Sequence, residues 1–348
     1  NFLNLNFCII KTSMKSFKEI EDIYYFTAWK IAEAVNNQQV LATEVTKVFL
    51  ERIDRLNPQL KAWKFLNHEY ALEQAGWVDK IGKPMSLNGV PIGVKDIFNT
   101  EVFPTEMDSP VWKGHIAGND ARCVSYLKDR GGIILGKTDT AEFAVHNPGD
   151  CLNPWDINRV TGTSSGGSAV AVATAMSPVA LATQTAGSTI RPASWCGVYG
   201  MKPSFGLIPR TGVLKTTDTL DNIGFYGRDV TDLQLMLDSL RVHGSNFPIM
   251  QKKLKEYKLS KKRWKVGFVK GHLWEYAPDN TCNAHKLHNR VYDPCLAYYF
   301  REELKKAPEK ISDTFLKQVE KGRQHSPENY KHALHEQTIL AEEMEVFF

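Results

Sequence analysis

A chain of 348 residues with 43% hydrophobic and 24% charged side chains is large enough to bury one big core or two ordinary ones. Its net charge of +4, without a dense basic stripe, gives no electrostatic footprint for nucleic acid, and no stretch reaches the ~18 uninterrupted apolar residues of a membrane span. Six scattered cysteines with no CxxC pair exclude a disulfide scaffold and fit a reducing, cytoplasmic setting.

Residues 1–14 hold no initiating Met before Met14 and no basic n-region. They read as a leader or a misassigned start ahead of a single domain over 15–348. Apolar spacing predicts helices over 27–36 and 43–56. In the second, Val45, Val48, Phe49, Ile53 and Leu56 recur at three- and four-residue steps, with Thr43 as cap and Asn57-Pro58 as stop. A short helix over 70–82 follows, and "GVPIGVKDIF" (89–98) alternates as a strand leading into a turn. Helices and continuous apolar strands then take turns: 120–132 and 133–138, 166–176 and 179–185, 230–240 and 264–270. That rhythm predicts an α/β fold whose sheet is covered on both faces. The basic run 252–265 reads as a solvated linker. Beyond 296 the chain reads as helical, Ser326 and Pro327 opening a last helix over 327–348. The tryptophans, Trp195 among them, are expected in the core.

Two clusters of serine and glycine, around Ser164 and Ser188, are joined by an apolar run. A linker would be polar on both sides, whereas "SSGGSAVAVATAM" opens a buried helix and "TQTAGSTI" follows a buried strand. Loops at strand ends of such sheets are where binding groups collect. A phosphate cradle calls for GxxxxGK[ST] or GxGxxG, and neither is present there. A catalytic serine needs a base. None of the ten histidines sits in a comparable motif, His146 in "FAVHNPGD" being the nearest, and no G-x-S-x-G elbow occurs. Lys95 closes the apolar stretch "GVPIGV", where burial would disfavour its charged form and leave it partly neutral; a lysine there also suits a strand edge with its head in water. Cys282, His285 and His288, with Cys295 as a fourth ligand, have a spacing open to zinc in a junction over 271–295 that reads as irregular.

Together, "GVPIGVKD", "GTSSGGSA" and "QTAGSTIRPASWCGVYGMKPSFG" resemble the amidase signature family in order and spacing. The family's two key serines lie 24 apart, as Ser164 and Ser188 do. "GKTDTAEFA" (136–144) and "GRDVTDLQLMLDSL" (227–240) are similar to it too. The resemblance runs from about residue 27 to 348 and is densest over 85–240. It implies the family's fold, a mixed central sheet with helices on both faces, and a catalytic core over about 70–240. It implies Ser188 as nucleophile, Lys95 as base, and Ser164, preceded by a cis peptide bond, as the bridge between them. It implies an oxyanion hole from the backbone N–H groups of Thr185, Ala186 and Gly187 with that of Ser188. Ser165 would bond Lys95, Gly166 and Gly167 would relieve crowding, and Arg191 would brace the loop.

The implied reaction is hydrolysis of a small-molecule amide to an acid plus ammonia or an amine, through an acyl-enzyme. No cofactor, metal, membrane or direct nucleic-acid contact is implied, and a homodimer is one assembly open to the chain. Within the family the alternative is the A subunit of a glutamyl/aspartyl-tRNA amidotransferase; outside it, an inactive truncated fragment. Gln184 stands where many members carry Asp, and Arg191 follows the nucleophile by three residues rather than two, a pattern closer to general amidases. The chain is shorter than most members. This implies an incomplete C-terminal lobe over about 260–348 and, with the apolar end "EVFF", an aggregation-prone product when expressed alone.

Overall fold

The computed structural model describes residues 20–242 and 279–347. The leader region, the basic run 252–265 and the strand expected over 264–270 lie outside the described residues. Six strands form one sheet: β1 (Trp63–Leu66), β2 (Pro91–Lys95), β3 (Ile133–Thr138), β4 (Val179–Gln184), β5 (Tyr199–Met201) and β6 (Asn222–Gly227). Their order is β1-β3-β2-β4-β6-β5. The central pairs β2–β3 and β2–β4 are parallel and the outer pairs antiparallel, so the sheet is mixed, as expected. Parallel strands need cover on both faces, and β2 and β3 are buried at every position.

Strand alternation decides what β2 presents to each side. Gly93 and Lys95 share a face with Thr138 of β3, whose Oγ1 lies 2.6 Å from Ser168 Oγ on α5 (Gly166–Ala173). Ile92 points the other way, beside Leu127 of α4 (Arg122–Lys128). On α5, Gly166 through Val172 are buried. The helix sits so close that a Cβ on Gly167 would fall 2.5 Å from the Asp139 nitrogen, and one on Gly166 would fall 2.0 Å from Thr161 Oγ1. Only glycine permits that approach.

Three expectations change. The helix α2 spans Ala42–Leu60 and runs through Pro58. A proline in the last turn forfeits only its own N–H bond, and the helix closes at left-handed Lys61, whose N–H reaches Asn57 O at 2.7 Å. Its cap is Leu41, not Thr43. The carboxylate of Asp79, on α3 (His68–Ile81), accepts from Ala42 N and Thr43 N and from the Thr43 hydroxyl. A distant acid has taken the local hydroxyl's role. Third, Trp63 is buried, but Trp77, Trp155 and Trp195 are 52%, 55% and 45% exposed. Trp195 lies on α6 (Ile190–Cys196), which turns Pro192, Ala193 and Cys196 inward and so points Trp195 outward.

Further helices are α1 (Ala28–Asn36), α7 (Val230–Leu240), α8 (Asp279–Tyr299), α9 (Arg301–Lys306), α10 (Asp313–Arg323) and α11 (Pro327–Phe347). The junction expected to be irregular is therefore helical from Asp279. Ser326 Oγ accepts from Asn329 N, so the expected cap of the last helix is present. Helix α10 and the junction between α8 and α9 hold to the loop after β3 through the rings of Phe315, Phe300 and Phe143, centroids 4.8–5.1 Å apart. Ser312 N and Oγ also donate to Glu142. The side chains of residues 279–285 and 343–347 lie outside the description. Among the described residues no helix is long and apolar enough to cross a membrane.

Candidate active site

The site forms where β2 and β4 end side by side. Lys95, the last residue of β2, is fully buried, and its Nζ lies 2.7 Å from Ser164 Oγ and 2.9 Å from Thr183 Oγ1. Among the described residues no carboxylate touches it. Burial holds its pKa well below the ordinary lysine range, against the opposing pull of the Asp221 carboxylate. Burial at this position thus favours the neutral form of the amine over the charged one.

Lys137, one strand over, is equally buried but differs in kind. Its Nζ sits 2.8 Å from Asp96 and also donates to Pro104 O and Thr105 Oγ1. Asp96 in turn accepts from Glu106 N and Met107 N. This ion pair pins the end of β2 on the sheet face opposite Lys95.

Ser164 lies just before α5, after the cis Thr163–Ser164 peptide. The loop is held by Arg191, whose Nε donates to Gly162 O at 2.9 Å and Nη2 to Thr163 O at 3.1 Å. Because Arg191 stands on α6, it ties the Ser164 loop to the Ser188 loop. Ser165 does not bond Lys95 as expected. Its hydroxyl donates to Thr183 O at 3.1 Å and accepts from Thr183 N, because the α5 start brings it against the β4 backbone. The place expected for it at Lys95 belongs to the Thr183 hydroxyl.

Ser188 is 8% exposed, and its carbonyl accepts from the Tyr226 hydroxyl of β6 at 3.2 Å. Among the described residues no hydrogen bond joins its Oγ to Ser164. The loop before it is shaped by Gln184, the last residue of β4. Gln184 Oε1 accepts from both Thr189 N and Ile190 N at 3.0 Å, capping α6. With those donors engaged, the backbone N–H groups of Thr185, Ala186, Gly187 and Ser188 make no hydrogen bond among the described residues. Thr185 Oγ1 donates to Asp221, which also accepts from the amides and hydroxyls of Thr216 and Thr217.

His146 is exposed, edge-on to the Tyr292 ring at 6.5 Å, and bonded to no member of this group. Cys282 and His285 lie where side chains are not described; among the described residues no group of three metal-binding side chains is assembled. Thr183, Gln184, Asp221 and Tyr226 complete the site. Thr183 had a local signal, a polar residue ending an apolar strand. Asp221 and Tyr226 had none, since the Ser188-loop residues they hold, Thr185 and Ser188, lie 36 and 38 positions away.

A buried lysine–serine pair, a second serine and a run of backbone donors that are unpaired among the described residues, all set at strand ends of a mixed sheet, define a class of α/β proteins. Within that class the chain belongs to the Amidase family, whose profile matches residues 44–290. It is 36% identical over 250 residues to the A subunit of the glutamyl-tRNA(Gln) amidotransferase of Clostridium botulinum (strain Hall), covering 69% of this chain and 52% of that protein. The chain thus spans about half the length of the curated relatives it matches. Among solved structures it resembles "Structure of 6-aminohexanoate cyclic dimer hydrolase complexed with substrate" (TM-score 0.77, 23% identity, 94% of this chain and 77% of that one). It also resembles "Crystal structure of amidase" (TM-score 0.75, 24% identity, 92% and 79%). At these identities the structural likeness establishes the fold.

Proposed function

We propose that the chain hydrolyses a small carboxylic amide through an acyl-enzyme on Ser188, with Ser164 and Lys95 as the proton relay. The supporting observation is the 2.7 Å contact between Ser164 Oγ and the buried Lys95 Nζ, which among the described residues meets no carboxylate. Lys95 takes the Ser164 proton as Ser164 takes the one from Ser188, the second contact closing when substrate docks. Ser188 Oγ then bonds the carbonyl carbon, and the oxyanion is received by the N–H groups of Thr185, Ala186, Gly187 and Ser188. The relay returns the proton to the nitrogen as the C–N bond breaks. Water repeats the sequence on the ester and releases the acid. Free cysteines at Cys123, Cys151, Cys196 and Cys295 suit a reducing, cytoplasmic setting. The test is ammonia release by the purified chain from a panel of aliphatic, aromatic and amino-acid amides. Release from none of them would overturn the reading.

The curated relatives favour a second reading, in which the chain is the A subunit of an amidotransferase. It predicts ammonia release from L-glutamine above all other amides, and only with a partner protein added. A homodimer of this chain acting alone belongs to the first reading.

Gln184 supplies a separate test. Gln184→Ala removes the acceptor that turns Thr189 N and Ile190 N inward, and a displacement near 1 Å of the oxyanion donors costs about 100-fold in kcat. KM and melting temperature are expected to change little. Gln184→Glu keeps an acceptor but sets a negative charge near the forming oxyanion. Its activity is expected to approach wild type in acid and to fall as pH rises through the new carboxyl's pKa. A pH–kcat profile parallel to wild type would remove Gln184 from this role.

A further inference from the structure

Three consecutive carbonyls of the Ser164 loop are held from two sides. Arg191 takes those of Gly162 and Thr163, and Ala141 N donates to Ser164 O at 3.3 Å. Ala141 belongs to the segment that leaves β3, and this segment also meets α5. Thr138 Oγ1 lies 2.6 Å from Ser168 Oγ, and the Asp139 backbone leaves no room for a Cβ at Gly167. What fixes the segment therefore bears on where Ser164 stands.

Its anchor is the Asp139 side chain, which is 2% exposed. The carboxylate accepts from Cys151 N at 3.2 Å, and Gly149 packs against it with no space for a Cβ. Lys64 Nζ of β1 lies 3.2 Å away, and the same ammonium meets Asp108 at 2.9 Å and Asp150 at 3.3 Å. Glu142 faces Asp108 from the far end of the segment. The Cys151 thiol is a further neighbour, held neutral by burial, and α5 presents no titratable group. One lysine thus serves three carboxylates, and one of the three is cut off from water. Burial pushes the Asp139 carboxyl up to about 7, with Lys64 drawing it down and Asp108 raising it.

Resting on the hydrolase reading above, we infer that Asp139 is a positioning residue for the relay: its carboxylate, tied to Lys64, sets the segment from Thr138 to Ala141 against the Ser164 loop, and a proton taken up by that carboxylate breaks the tie and loosens the loop. The hold tightens as pH rises through about 7. Stability runs the other way. The folded-state pKa lies above the unfolded value of about 3.9, so the folded chain keeps a proton that the unfolded chain releases. The penalty for the buried charge grows as pH rises from about 3.9 and is complete above about 7.

Asp139→Asn fixes the uncharged form. At about pH 8 it is expected to lower kcat about 10-fold and to speed hydrogen exchange of the amides over 161–168 by a similar factor, whereas at about pH 5.5 both should lie within about twofold of wild type. The variant should nonetheless melt above wild type at about pH 8, by a margin that narrows as pH falls. An ordinary structural ion pair gives the reverse, a variant that melts lower there. Lys64→Met leaves the three carboxylates without their cation and should move the change in kcat and exchange upward by about one pH unit or more. Equal kcat and exchange in Asp139→Asn and wild type at about pH 8, ratios that do not vary with pH, or a lower melting temperature at about pH 8 overturns the inference. Should Asp139→Asn fail to fold, an unmoved transition in Lys64→Met overturns it. Exchange and melting need no turnover, so if no amide is hydrolysed they decide the hold on the Ser164 loop by themselves.

Discussion

Ser188→Ala and Lys95→Met are each expected to lower kcat/KM for amide hydrolysis by about 10⁴- to 10⁶-fold, and the double variant by no more than either alone, since residues acting as one unit are not additive. Their effects on stability should differ. Ser188 is nearly buried but its hydroxyl holds no hydrogen bond among the described residues, so its alanine variant should melt with the wild type. Lys95 is a fully buried amine whose protonation is opposed by burial. Its folded-state pKa lies below its unfolded value, so the unfolded chain binds the extra proton. The lysine therefore weakens the fold at low pH, and that penalty fades as pH climbs from the folded-state pKa toward the usual lysine value of about 10.4. Lys95→Met should remove this slope, leaving an inactive protein at least as stable as wild type at neutral pH. Melting curves at several pH values check it. A Lys95→Met protein that keeps turnover within about tenfold of wild type would exclude Lys95 as the base.

Lys137→Met, at the other buried lysine, should behave in the opposite way. It strips the partner from Asp96, a carboxylate that is 1% exposed. Breaking a buried pair from one side typically costs about 3–5 kcal/mol, a large share of the roughly 5–15 kcal/mol that holds a domain together. Burial already pushes Asp96 up, with Lys137 pulling it back down. Without Lys137 the folded-state pKa rises further, so the folded variant binds a proton the unfolded chain releases. The deficit should shrink as pH falls toward the ordinary carboxylate value of about 3.9 and grow as pH rises. Lys137→Met combined with Asp96→Asn should recover much of the loss, because the amide still accepts from Glu106 N and Met107 N and carries no charge. Chemical denaturation of the three proteins measures this. A single variant within about 1 kcal/mol of wild type at neutral pH would show that the pair does not pin β2.

The local signals in the sequence determined a good deal by themselves. Continuous apolar runs bounded by turn residues located β3 at 133–138 and α7 at 230–240 with the boundaries the structure shows, because such strands and helices are set by burial periodicity alone. Lys95 stood out as a lysine closing an apolar strand, whereas Ser164 and Ser188 were singled out by the resemblance of their motifs and spacing to the amidase signature family. Tertiary structure decided what depends on partners far along the chain. Thr43 yielded its capping role to Asp79, and Ser165 yielded its place at Lys95 to Thr183, in each case because packing brought a better-aligned group within hydrogen-bond reach. Trp195 faces solvent because α6 turns its smaller residues to the core. Most telling are the two buried lysines. Lys95 and Lys137 both lie at the end of apolar strands, and nothing in either strand separates a lysine paired with hydroxyls from one half of an ion pair. The difference is Asp96, whose carboxylate the fold delivers to one side of the sheet and withholds from the other.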